Sequence, residues 1–181
     1  PLNFLLMDVG GVEVLRGPQG TLYGRNATGG TINVTPARAT RDFTGYLNLS
    51  FGNLGTFREE AAVSGPLAGD TLLFRLAAMG EQRINGYGRN LKTDEKLGTS
   101  YEQGVRGSLE FHPSPDFSAR LEGYYFHGRN TSDFWANLEP FSASQLAANP
   151  DFSNYAVSYD PRKVELDFTP EDVQTSQGGL L

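Results

Sequence analysis

Gly24 to Thr31 reads GRNATGGT, one residue away from a phosphate-binding loop. That loop needs a lysine to reach the β- and γ-phosphates, and Gly30 stands in its place. A phosphate loop also opens a helix, whereas the following TINV (Thr31 to Val34) is β-branched and soon meets Pro36. Nucleotide chemistry is therefore not expected. The chain has no cysteine, which removes disulfides, zinc-thiolate sites and thiol nucleophiles. His112 and His127 are its two histidines, and each falls within or at the end of a predicted strand. No acid, serine or histidine has a spacing that fixes a nucleophile and its base, or a glycosidase pair. The expectation is a protein that is not an enzyme, with no catalytic residue, no metal site and no cofactor.

The glycines around that loop must then serve geometry. Arg16 to Gly30, RGPQGTLYGRNATGG, holds Leu22 and Tyr23 and is flanked by the strand-formers VEVL and TINV, anchors that a free linker lacks. It reads as a compact strand, loop, strand unit with glycine turns, Pro18 fixing the exit from the first strand. For Arg16 and Arg25 the alternative to a specific role is a solvated surface charge. The net charge of −6 and the scattered basic residues argue against a nucleic-acid surface. No apolar run reaches the length of a spanning helix, the longest being FLLM at Phe4 to Met7, and no signal peptide is expected in these residues. Neither point bears on a β-barrel, whose strands give a weaker signal.

From Asp42 onward the sequence alternates with period two. Phe43, Gly45, Leu47, Leu49 and Phe51 share one face. After GNLG (Gly52 to Gly55), the same face continues with Phe57, Ala61 and Val63, then Leu72, Phe74, Leu76 and Ala78, then Val105, Gly107, Leu109 and Phe111, then Phe117, Ala119, Leu121, Gly123 and Tyr125. The opposite face carries Tyr46, Arg58, Glu60, Arg75, Glu81, Arg106, Glu110, Arg120 and Glu122. Five strands in meander order are predicted. The turns at Gly65 to Asp70 and Pro113 to Asp116 are short, while Arg83 to Tyr101 and the stretch after Arg129 are long. This asymmetry is that of transmembrane barrels.

Aromatics on the apolar face lie near predicted strand ends, as in the two girdles of a membrane barrel. A soluble β-sandwich would alternate in the same way but would place its large rings in strand centres. Pattern alone leaves both open and favours the barrel. Glu59 interrupts the apolar face close to the start of its strand, where a membrane interface or a local bulge would accommodate it. After Arg129 alternation fades. Ser142 with Gln145 makes a capping box, predicting a short helix from about Ala143 to Ala148, and TSQGGLL reads as a strand beginning.

VEVLRGPQGTLYGRNATGGTINV (Val12 to Val34) resembles the end of the plug domain of TonB-dependent outer-membrane receptors, and FTGYLNLSFGNLGTFREEAAVSGPL with LLFRLAAM resembles the first strands of their barrel. The resemblance implies a mainly β fold: the last part of a plug over residues 1–36, then a partial antiparallel transmembrane β-barrel over 41–181, with 129–176 an extracellular loop. The family barrel has about 22 strands and a plugged lumen. This chain is expected to be a fragment, lacking the TonB box, the first half of the plug and the closing strand.

The implied activity is ligand-gated active import across the bacterial outer membrane, driven by TonB-ExbB-ExbD and the proton gradient. Iron-siderophore leads as ligand, with haem, cobalamin or a glycan as others. Outer-membrane lipid is the further implied partner. The motif residues are Arg16, Gly17, Pro18, Gly20, Tyr23, Gly24, Arg25, Gly29 and Gly30. In this family the arginine matching Arg16 tends to pair with wall carboxylates, for which Glu60, Glu110 and Glu122 are the candidates here. A soluble extracellular β-sandwich binding module is the alternative.

Overall fold

The computed structural model describes residues 2–17, 29–131, 142–149, 162–164, 169 and 171–180. A one-turn helix, α1 (Leu2–Leu5), leads through Asp8 into the strand β1 (Val9–Arg16), which pairs antiparallel with β2 (Gly30–Pro36). This is the strand, loop, strand unit expected from VEVL and TINV. Its connecting loop from Pro18 to Thr28 lies outside the described residues. Gly30, opposite Arg16, has φ +135°, and a side chain there would place its Cβ 2.5 Å from the Leu15 carbonyl oxygen. Glycine is required at that closure.

The main sheet has six strands. β3 (Thr44–Gly52), β4 (Thr56–Ala68) and β5 (Leu72–Arg83) form a meander. Two short strands, β6 (Gly88–Asn90) and β7 (Lys96–Leu97), lie within the long connection that follows. The meander resumes with β8 (Ser100–Ser114) and β9 (Phe117–Asn130), and β11 (Asp172–Leu180) pairs on β9. Between these, α2 (Ala143–Ala148) carries the predicted capping box: the Ser142 amide donates to Gln145 Oε1 at 2.9 Å and the Gln145 amide to Ser142 Oγ. The two-residue β10 (Lys163–Val164) joins β6 and β7 in a separate small sheet.

All five predicted strands appear in the predicted order, all antiparallel. Several bounds differ: β4 runs to Ala68 and β8 to Ser114, each inside a predicted turn. β8 begins at Ser100, inside the stretch read as loop, and β11 begins at Asp172, before the polar residues had suggested a strand. The 3-10 turn over Asn53–Gly55 contacts Ile84 and Asn85, and Gly98 and Thr99 contact Thr131. The turn after β3 thus shares one end of the sheet with both long connections. The tight turns after β4 and β8 share the other, where the His112 amide donates to the Thr71 carbonyl.

The register carries the alternation straight across the sheet. Leu47, Ala61, Ala78, Val105 and Tyr125 are successive cross-strand partners on one face; Tyr46, Ala62, Ala77, Arg106 and Tyr124 are partners on the other. The first face is bare: Leu47, Leu49, Leu76, Leu109 and Leu121 are exposed on it. The second buries Ser64, Ala77, Met79, Arg106, Ser108, Glu110 and Phe126. This inverts a water-soluble sheet, where the apolar face is the covered one. Glu59 sits exposed on the bare face opposite Leu49 and Gly80, in unbroken register, so no bulge accommodates it. On the same face Phe51 stacks on Phe57 at 5.0 Å and Phe43 on Phe74 at 6.0 Å. Tyr125 lies deeper within β9 than its predicted end suggested, while Tyr101, in the extension of β8, stands at the long-loop end.

Candidate functional site: the covered face and the segment seated on it

The polar face is covered by the N-terminal segment, and the seat is built from one aromatic anchor and one ion pair. Phe4 is buried, with its ring 5.4 Å from Tyr124, 5.3 Å from Phe126 and 5.1 Å from the Arg106 guanidinium carbon. Tilted rings at this spacing and a cation over a ring face are both favourable contacts. Gly104 lies beneath: a Cβ there would stand 2.6 Å from Phe4 Cδ2. The wall is glycine where the anchor lands. Met7 is fully buried beside it, and its carbonyl accepts a hydrogen bond from Arg106 Nη1 at 3.1 Å.

One residue further, the chain turns at Asp8 with φ +52°, a left-handed conformation that aspartate tolerates better than most residues. The turn aims its carboxylate at the wall. Arg75 Nε donates to Asp8 Oδ2 at 2.7 Å and Nη2 donates to Oδ1, a bidentate pair that is 5% exposed on the Asp8 side. The Asp8 amide donates to Glu60 Oε1 at 3.1 Å. The Tyr46 hydroxyl lies 2.7 Å from Glu60 Oε1 and 3.3 Å from Asp8 Oδ1 and donates toward both carboxylates. Arg58 completes the cluster, 3.3 Å from Glu60 and 3.4 Å from Glu81. Arg75 pairs with Asp8 and Arg58 is shared between Glu60 and Glu81, so each carboxylate of the cluster has a cation within reach, which makes its burial tolerable.

A second charge cluster lies toward the tight-turn end. Glu122 accepts from Arg120 Nη2 at 2.6 Å and faces Arg106 Nε at 3.8 Å. Glu110, 4% exposed, lies 3.4 Å from His112 Nε2 and 3.9 Å from both Arg120 and Arg38. It also accepts the Ala39 amide at 3.3 Å, and the Thr40 amide donates to Ser64 Oγ at 2.9 Å. The connector from β2 into β3 is therefore pinned to the same face.

All three carboxylates named from parity, Glu60, Glu110 and Glu122, are on the covered face. Glu60 touches the N-terminal segment, Glu110 touches the connector, and Glu122 touches wall arginines. Arg16 ends β1 exposed, and among the described residues it makes no ion pair. Gly17 (φ +88°) follows it, and Gly29 precedes the closure at Gly30. Pro18, Gly20, Tyr23, Gly24 and Arg25 lie outside the described residues. The contact that sequence reasoning missed is Asp8 with Arg75. Its only sequence signal is a lone acid in the apolar run FLLMDVGG, and four arginines of the polar parity, Arg58, Arg75, Arg106 and Arg120, are available to it.

Loop groups at the other end are arranged separately. Glu95 accepts hydroxyl hydrogen bonds from Thr169 and, at 3.0 Å, from Thr93, and these hold its carboxyl below the usual range. Among the described residues no group of acids and histidines could hold a metal ion.

No family model matches the chain. It is 42% identical over 69 residues to the pesticin receptor of Yersinia pestis, a match covering 38% of this chain and 10% of that receptor. It is 29% identical over 134 residues to the ferripyoverdine receptor of Pseudomonas aeruginosa, covering 74% of this chain and 16% of that protein. Among solved structures, the ferric yersiniabactin uptake receptor of Yersinia pestis superposes with a TM-score of 0.71 at 24% identity, over 93% of this chain and 24% of that one. The matched stretch is thus a tenth to a quarter of the length of these relatives.

Proposed function

We propose, on the premise that this chain is part of a TonB-dependent outer-membrane receptor, that it supplies the seam between a pore-blocking plug and its barrel wall in a ligand-gated importer. In this reading residues 1–36 are the end of the plug and residues 41–181 the start of the barrel. The carrying observation is the inverted sheet: the apolar face is bare and the charged face is covered by Phe4, Met7 and Asp8. A bare apolar face suits lipid, and a charged face suits a water-filled or plugged lumen. The sandwich alternative needs a second sheet on the apolar face, and among the described residues the covering segment packs on the other one.

The ligand we infer is a ferric siderophore, since the ferripyoverdine receptor is named for one. Haem, cobalamin and glycans are less well supported. Import would draw on TonB-ExbB-ExbD acting on the plug. The pair of Asp8 with Arg75 then holds the plug at rest, and pulling the plug from the lumen must break it.

Fractionation tests the location. The full-length receptor should be recovered from outer membranes in detergent and shift on gels after heating; recovery as a soluble periplasmic protein would sink the reading. Expression tests the ligand: induction by iron limitation supports the siderophore, and induction by a glycan carbon source overturns it. Arg16 is proposed to contact carboxylates on the wall of the whole barrel. Arg16→Ala should slow uptake while leaving ligand binding at the cell surface unchanged, and wild-type uptake rates would remove that role.

A further inference from the structure

Residues 37–43 join the end of β2 to the start of β3, and their amides divide between two bodies. The Ala37 amide donates to the Asp8 carbonyl at 2.9 Å. On the same side Gly10 packs so closely that a Cβ there would stand 2.8 Å from Ala37 Cα. Ala37 therefore belongs to the N-terminal segment. Two residues later the bonds go to the sheet instead: the Ala39 amide donates to Glu110 Oε1 at 3.3 Å and the Thr40 amide to Ser64 Oγ at 2.9 Å.

Ser64 suits that task because it is fully buried and gives its one hydroxyl hydrogen to the Phe74 carbonyl at 2.9 Å, which leaves its oxygen to accept. The Thr40 hydroxyl is held as well, 2.9 Å from Ser64 Oγ, 2.8 Å from the Asp42 carbonyl and 3.0 Å from Thr44 Oγ1 at the start of β3. Glu110 is buried among His112, Arg120 and Arg38. Both wall acceptors sit on strands paired on each side, β4 and β8. Phe4, Met7 and Asp8 take no part in these contacts.

Arg38 stands between the two sets of bonds. Its side chain is 71% exposed, its φ is not positive, and among the described residues its amide makes no hydrogen bond. A backbone position without bonds, between neighbours fixed to different bodies, is where rotation meets least resistance.

We infer that Arg38 is the pivot about which the N-terminal segment lifts off the wall, and that Ser64 and Glu110 are the positioning residues that hold the tether while it does. Breaking the seat at Phe4 and Asp8 leaves both wall bonds of the connector in place. The segment can then move without pulling β3 from β4.

This pivot rests on the reading of residues 1–36 as plug and 41–181 as wall, whose failure would appear separately, as a wild-type receptor that is not heat-modifiable. The experiment is hydrogen exchange at single amides in the full-length receptor. In Phe4→Ala the Asp8 amide should exchange about a hundredfold faster or more, while Ala39 and Thr40 stay within about twofold of wild type. Ser64→Ala should do the reverse, freeing the Thr40 amide and leaving Asp8 protected. Proline at position 38 removes no hydrogen bond and confines φ to about −65°. Added to Phe4→Ala, Arg38→Pro should therefore slow Asp8 exchange about tenfold, the scale of fixing one residue's backbone, whereas Arg38→Gly and the charge control Arg38→Ala should not. Ala39 and Thr40 accelerating together with Asp8 in Phe4→Ala would show a single unit and overturn the pivot. Asp8 exchange that ignores Arg38→Pro in a heat-modifiable receptor overturns it too. Should Arg38→Pro fail to fold, the Phe4→Ala and Ser64→Ala rates decide.

Discussion

Arg75→Met in the full-length receptor should unseat the N-terminal segment by about 3–5 kcal/mol, because it leaves the buried Asp8 carboxylate with no cation. Amide exchange in Met7 to Gly11 should then accelerate by roughly two to four orders of magnitude, while amides in β8 and β9 keep their protection. The asymmetry of the pair sharpens the test. Asp8→Asn retains a side-chain oxygen that can accept from Arg75 and from the Tyr46 hydroxyl, so it should cost less than the loss of Arg75. Removing both charges with Asp8→Ala and Arg75→Ala should cost less than the two single changes summed, because neither ion is left alone. If exchange in Met7 to Gly11 is unchanged in Arg75→Met, the pair is not what holds the segment.

The same pair shows where sequence reasoning ends. Parity alone placed Arg75, Glu60, Glu110 and Glu122 on one face, since a side-chain period of two admits no other arrangement in regular strands. What parity cannot supply is the partner that arrives from 67 residues away, as Asp8 does. Strand ends were lost for a different reason. In β8 the outward positions Tyr101 and Gln103 flank Glu102, and in β11 Asp172, Gln174 and Ser176 alternate with Thr175 and Gln177. Where a strand rises out of lipid, both faces meet water, so the apolar period disappears while the backbone pairing continues. The capping box was legible because it is local: both partners lie within one turn. α1 was not, because a single turn has no stability of its own and exists through the packing of Phe4 on the wall.

That dependence makes Phe4 and the glycine beneath it the second decisive test. Phe4→Ala should destabilise the seated segment by about 3–5 kcal/mol, the usual cost of emptying a buried phenylalanine site. It also strips the Arg106 guanidinium of the ring it lies over. Gly104→Val approaches the same contact from the wall. Its Cβ must come within 2.6 Å of Phe4 Cδ2, a distance real Cβ atoms do not show, so the ring has to shift off its present seat. Valine is, however, a better strand residue than glycine, and β8 is paired on both sides. The expected result is therefore a separation: Gly104→Val keeps heat-modifiable barrel folding but exposes residues 2–8 to protease and exchange as strongly as Phe4→Ala. Seating that survives Gly104→Val would mean that Phe4 is not the anchor. Loss of the barrel itself would mean that the segment is needed to build the wall and does not merely rest on it.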